Sequence, residues 1–184
     1  NYGSYVVWGL WVAAYLFFAG VSAGSFMVST LDLLFHIKIF RGTGRLALWV
    51  GLASLAAALL SIWLDLGHME RIWKVYLQGN LGSVMAQMVW GYTGFGILLL
   101  AALFLAIRQP QSRLLKTLMM VGAPLSLFVS GAVGALLGVE ASRMFWHVGL
   151  LPVQFPVFSL ASGVAALLVA IGLFGPKDDS NRGQ

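Results

Sequence analysis

Cysteine is absent from this sequence, so the chain forms no disulfide, offers no thiolate to a metal and cannot itself ligate an iron–sulfur cluster. Charge is nearly as scarce. Charged residues make up 9% of the 184, against about a quarter in soluble domains. Hydrophobic residues make up 60%, and the mean hydropathy is +0.89. So few polar side chains cannot cover a surface facing water, which excludes a soluble enzyme, a secreted disulfide scaffold, a coiled coil and a disordered tail. The net charge of +5 is spread over several loops rather than run together. It therefore reads as membrane topology and not as nucleic-acid binding.

The charged residues fall in clumps separated by long uncharged stretches, 1–31, 46–64, 75–107, 117–139 and 144–176. A helix needs roughly 20 apolar residues to cross the hydrocarbon layer. Backbone groups in lipid must be satisfied internally, and no period-two alternation suggests a barrel. The expected fold is an all-α transmembrane bundle, one membrane domain with about five spans at 6–35, 46–64, 84–107, 118–137 and 157–174 and a polar tail at 176–184. Pro152 and Pro156 are expected to end a surface segment ahead of the fifth span.

Lys38, Arg41, Arg45, Arg108, Arg113, Lys116, Lys177 and Arg182 then lie on one side, and only Arg71, Lys74 and Arg143 on the other. The positive-inside rule assigns the first group to the cytoplasm and the N-terminus to the outside. Trp8, Trp11, Trp63, Trp73, Trp90 and Trp146 fall near span ends, as interfacial aromatics do. The sequence starts at Asn1 without a basic segment before its first apolar run. It is expected to be processed or a portion of something longer.

Polar groups near lipid are expensive, so each needs a reason. The densest set ends the second span, with Asp65, His68, Glu70, Arg71 and Lys74; a continuing helix would put Asp65 and His68 on one face. A carboxylate at the edge of the hydrocarbon can take up and release protons, because desolvation disfavours its charged form. A second set follows the fourth span, with Glu140, Arg143 and His147. Both sets map to the outer face. The plain alternative is self-satisfied interfacial salt bridges. In the first span Tyr15 needs a hydrogen-bond partner, either a neighbouring helix or a ligand carbonyl. The small residues from Ala19 to Ser25 suit close helix packing. Asp32 is expected to pair with nearby basic residues. A haem held by His68 and His147 is geometrically possible, although bundle ligands ordinarily project inward from facing helices.

These residues carry a resemblance. The string WGLWVAAYLFFAGVSAG at 8–24 resembles the first helix of the NrfD/polysulfide-reductase membrane-subunit (PsrC-like) family. DLGHMER at 65–71 is similar to its Asp-Leu-Gly-x-x-x-Arg motif, and GNLGSVM at 79–85 followed by Trp90 and Gly91 resembles the lead into its third helix. Trp146, Leu151, Pro152, Phe155, Ser162 and Gly163 resemble the approach to its fifth. The pieces occur in order over nearly the whole chain.

The resemblance implies a multi-pass cytoplasmic (inner) membrane subunit that anchors a ferredoxin-like iron–sulfur subunit and a molybdopterin-type catalytic subunit. It implies a quinone, menaquinone or ubiquinone, bound between helices near the outer face, with no haem or iron–sulfur cluster in this chain. Such a subunit is not catalytic alone. Carried over by position, Tyr15 falls where the family places a polar side chain near the quinone, and Asp65 and Arg71 fall on the motif, with His68 in its variable place. Asp65 is the expected proton relay. Tyr15, His68, Arg71, Tyr92, Glu140 and His147 are the expected quinone-binding residues.

Two departures stand out. Family members generally have eight or more spans in two halves, whereas this sequence carries five. It is either a portion of a longer protein or a shortened relative that another subunit completes. Ser22-Ala23-Gly24 and Ala161-Ser162-Gly163 are faint echoes of the family's repeat. In addition, the fourth-helix Tyr-Thr of many members falls on Ala132 and Val133, which leaves Tyr92, Glu140 or His147 to supply that contact. The competing readings are a non-redox transporter or assembly subunit, and a haem b-binding anchor. No ionisable residue lies well inside spans two to five, where an ion path would need some.

Overall fold

The structure is a computed structural model that describes residues 9–65, 76, 84–139 and 149–174, apart from the side chains of residues 65, 84, 85 and 139. Five long helices account for nearly all of it: α1 (Leu10–Leu33), α2 (Gly44–Asp65), α3 (Val84–Arg108), α4 (Arg113–Val139) and α5 (Leu151–Phe174). A short 3₁₀ turn at Lys38–Phe40 interrupts the first connection. All five helices are long and apolar enough to cross a membrane. Among the described residues there is no strand. The chain is a multi-pass, all-helical membrane protein.

The bundle is organised around α1. Every residue from Ala19 to Phe26 is buried, the pattern of a helix surrounded on all sides rather than of an amphipathic one. Its main neighbours are α2, α5 and α4, and α3 packs on α4 and α2. Successive helices run in opposite senses, as the facing pairs record. Ser22 of α1 meets Gly51 of α2, Gly96 of α3 meets Leu55 of α2, and Gly134 of α4 meets the Leu151 carbonyl of α5. The connections at 34–43 and 109–112 therefore share one end of the bundle, here termed the basic end.

Lipid gives helices no hydrophobic reason to associate, so close backbone approach and internal hydrogen bonds must do it. The small-residue run of α1 provides both. A Cβ on Gly163 would lie 2.5 Å from the Ser25 backbone nitrogen, and one on Gly24 would overlap the Ser159 carbonyl. The two Ser/Ala/Gly tripeptides noticed in the sequence thus cross one another at the α1–α5 contact. Ser22 Oγ donates to the Gly51 carbonyl at 2.7 Å, and Ser130 and Ser159 share a buried hydrogen bond of 2.6 Å between α4 and α5. At the centre, the Phe26 and Phe95 rings meet edge-on, 5.5 Å apart. Gly122 makes room for them, since a Cβ there would fall 2.5 Å from Phe26 Cε1.

Two expectations are corrected. Among the described residues Asp32 does not pair with a basic side chain. Its carboxylate accepts the Gly42 N–H at 3.1 Å and the Gly44 N–H at 2.7 Å, which caps the start of α2 and pins the first connection to the end of α1. Gly42 has φ of +85°, a conformation that favours glycine and aims its N–H at the carboxylate.

The prolines also differ. α5 begins at Leu151, so Pro152 sits in its first turn and Pro156 lies inside the helix. Pro152 needs no donor there, and the Leu150 carbonyl is taken by the Val153 and Gln154 N–H groups. Pro156 cannot donate to the Pro152 carbonyl, and that oxygen faces Gly131 of α4, 3.2 Å from where a Cβ would stand.

Candidate functional site

Of the residues singled out in the sequence, Tyr15 and Tyr92 are described with their side chains. Tyr15 lies five residues into α1 and Tyr92 eight residues into α3. At 1.5 Å per residue both are about 8–12 Å from the starts of their helices. Those starts share the end of the bundle opposite the basic end, where α2 also finishes at Asp65. Tyr15 and Tyr92 therefore lie at similar depths at the same end of the bundle. α1 and α3 share no extended interface. Deep in the bundle the Phe26 and Phe95 rings bridge the space between them.

Tyr92 is 8% exposed and belongs to the apolar core with Met88, Phe95, Val129, Ala132 and Val133. Its hydroxyl is buried and has no hydrogen-bond partner among the described residues. A phenol O–H left unsatisfied in apolar surroundings is costly, which makes this hydroxyl a candidate hydrogen-bond donor to a ligand. Ala132 and Val133, where a fourth-helix polar pair was missed, are buried in the same cluster. The apolar α4 surface therefore meets Tyr92, which supplies a hydroxyl from α3.

Asp65 is the last residue of α2, and its side chain lies outside the described residues. So do His68, Arg71, Glu140 and His147.

Sequence reasoning overlooked two features nearby. The Tyr76 hydroxyl is 3.0 Å from Thr93 Oγ1, and the Tyr76 ring meets Trp90 edge-on at 5.4 Å. Thr93 follows Tyr92 directly, which was the available signal. Ser159, hydrogen-bonded to Ser130 and set against Gly20, joins three helices, but one serine in an apolar run gave no sign of it. Among the described residues no group of His, Cys, Asp and Glu is arranged to hold a metal.

The family model for polysulphide reductase, NrfD, matches residues 1–183. The chain belongs to this family. It is 31% identical to a selenate reductase subunit of Mesobacillus selenatarsenatis, over 94% of this chain and 49% of that protein. It is 28% identical to the Hdr-like menaquinol oxidoreductase integral membrane subunit of Archaeoglobus fulgidus, over 89% of this chain and 41% of that protein. It is 27% identical to the menaquinone reductase integral membrane subunit of Nitratidesulfovibrio vulgaris, over 77% and 37%. The NrfD-family chain thus spans about half the length of these relatives or less. No solved structure matches it.

Proposed function

We propose that this NrfD-family chain is the membrane-anchor and quinone-binding subunit of a multi-subunit oxidoreductase in a cytoplasmic (inner) membrane. It would exchange electrons between a membrane quinone or quinol and an iron–sulfur partner subunit, with a molybdopterin-type catalytic subunit beyond. The observation that carries this reading is the buried Tyr92 hydroxyl, without a hydrogen-bond partner among the described residues, at the same end of the bundle as Tyr15 and the close of α2. Two of the relatives are named for menaquinol or menaquinone and a third for selenate reduction, which supports a redox complex. The 184 residues contain no cysteine to ligate an iron–sulfur cluster, which supports a separate iron–sulfur partner.

The residues suit a quinone head group. A quinone carbonyl accepts hydrogen bonds and a phenol donates them, while the apolar side chains around Tyr92 would hold the ring and keep water out. When bound, the quinone supplies two-electron chemistry coupled to two protons. The chain's part is positional and protonic. Tyr92 would donate its O–H to a carbonyl oxygen, and Tyr15 would fix the orientation from α1. Asp65, at the end of α2 on the same side of the bundle, would carry protons between water and the site. His68, Arg71, Glu140 and His147 would complete the polar rim.

Purification under mild conditions tests the anchor role: an iron–sulfur subunit and extractable quinone should accompany the chain. A lone protein free of quinone refutes it. In the assembled complex, Asp65→Asn keeps the shape and removes the proton, so quinone-linked turnover should fall roughly 10²–10⁴-fold. Full turnover in a well-assembled Asp65→Asn complex would exclude the relay.

A further inference from the structure

The basic end carries Lys38, Arg41, Arg45, Arg108, Arg113 and Lys116, all exposed. Asp32 is the one described carboxylate there, and it is committed to the N–H groups of Gly42 and Gly44. Asp65, at the other end of α2, is too far away to serve. Among the described residues this end therefore has cations and no carboxylate left to balance them.

Beside these cations, where α3 ends and α4 begins, lies a groove of about 290 Å³ lined by Phe104, Leu105, Arg108, Gln109 and Leu114. Phe104 and Leu114 are 61% and 58% exposed, so the groove has apolar walls open to the membrane. The Arg108 guanidinium stands over the Phe104 ring, 5.9 Å from its centroid. The backbone beneath is closed by hydrogen bonds from the Gln109 N–H to the Leu105 carbonyl (2.7 Å) and from the Ser112 N–H to the Gln109 carbonyl (3.0 Å). Ser112 Oγ then accepts the Leu115 N–H at 3.1 Å, capping α4. These bonds hold the two walls in register without using the arginine.

We propose that this groove is a binding site for an anionic phospholipid, with an acyl chain along Phe104, Leu105 and Leu114 and the phosphate on Arg108. Complementarity of shape and charge favours this occupant. A guanidinium suits a phosphate geometrically, with two parallel N–H···O bonds. Basic pockets between spans attract anionic head groups from the adjoining leaflet. A zwitterionic head group brings an ammonium that the Arg108 guanidinium opposes, and a free phosphate gains nothing from apolar walls.

The test uses the full chain in non-ionic detergent, with native mass spectrometry reading its retention of phosphatidylglycerol and phosphatidylcholine. Phosphatidylglycerol should be retained in preference. Arg108→Gln should weaken it about fivefold, the weight of one interfacial cation, while Arg45→Gln on the same end should leave it unchanged. Inorganic phosphate in molar excess should not displace the lipid. Leu114→Ser, at an exposed position outside the core, should also weaken retention, and it provides a second reading if Arg108→Gln fails to accumulate. Equal retention of the two lipids, equal losses in Arg45→Gln and Arg108→Gln, unchanged retention in Leu114→Ser, or displacement by phosphate would each overturn the proposal.

Discussion

At the scale of single residues, the hydroxyl of Tyr92 marks a conflict between stability and function. A buried donor without a partner costs about 1–3 kcal/mol, and phenylalanine would fill the same space without that cost. Tyr92→Phe should therefore keep or raise the thermal stability of the purified subunit. If the hydroxyl holds a quinone carbonyl, the same change should reduce quinone-linked turnover roughly tenfold, about the weight of one hydrogen bond. Turnover unchanged by Tyr92→Phe would leave the hydroxyl without a role in the site. Tyr15 and Tyr92 were both readable in the sequence, because a phenol within an apolar run is conspicuous. The burial of the Tyr92 hydroxyl away from any partner among the described residues was not readable, because it depends on how α3 packs against α4 and α2. Asp32 was misjudged for a related reason. A carboxylate near arginines and lysines suggests a salt bridge, whereas the tight turn at Gly42 brings backbone N–H groups closer.

At the scale of elements, the spans were legible because lipid permits so few backbone solutions. Their ends were less so. The sequence reading let prolines stop the fifth helix, yet a first-turn proline is tolerated and the carbonyl freed by Pro156 faces a glycine on α4. The order of packing was hidden as well. α1 and α5 are both apolar throughout, but α1 is enclosed by three neighbouring helices whereas α5 is the least buried of the five, and the two approach closely through the glycines at their crossing. Gly24→Ala would place a methyl group against the Ser159 carbonyl, which is backbone and cannot turn aside. It should destabilise the bundle by about 1–3 kcal/mol, as overpacking does, seen as a lower unfolding temperature in detergent. Gly94→Ala meets nothing within 4 Å and serves as the matched control, neutral or mildly stabilising because alanine favours helix. Equal unfolding temperatures for the two variants would mean that α1 and α5 do not cross as closely as the structure has them.

At the scale of the whole molecule, the proposed function depends on which side of the membrane each end faces. The two ends differ chemically. Among the described residues one carries six exposed cations, and the other carries Tyr15, Tyr92 and the end of α2. By the positive-inside rule the basic end should face the cytoplasm, which would place the Tyr15–Tyr92 pair and Asp65 toward the outside and require the iron–sulfur partner to dock there. The absence of cysteine from these 184 residues makes this directly measurable, since an introduced thiol is the only one among them. Arg41→Cys and Gln111→Cys, in the two connections at the basic end, should resist a membrane-impermeant thiol reagent in intact cells and react once the membrane is opened. Arg71→Cys and Arg143→Cys should react without opening. Labelling of the Arg41 and Gln111 positions from outside would invert the chain. It would move the candidate quinone site, and with it the docking side of the redox partner, to the cytoplasmic face, because the helices that hold Tyr15, Tyr92 and Asp65 are fixed relative to those connections by the packing around α1.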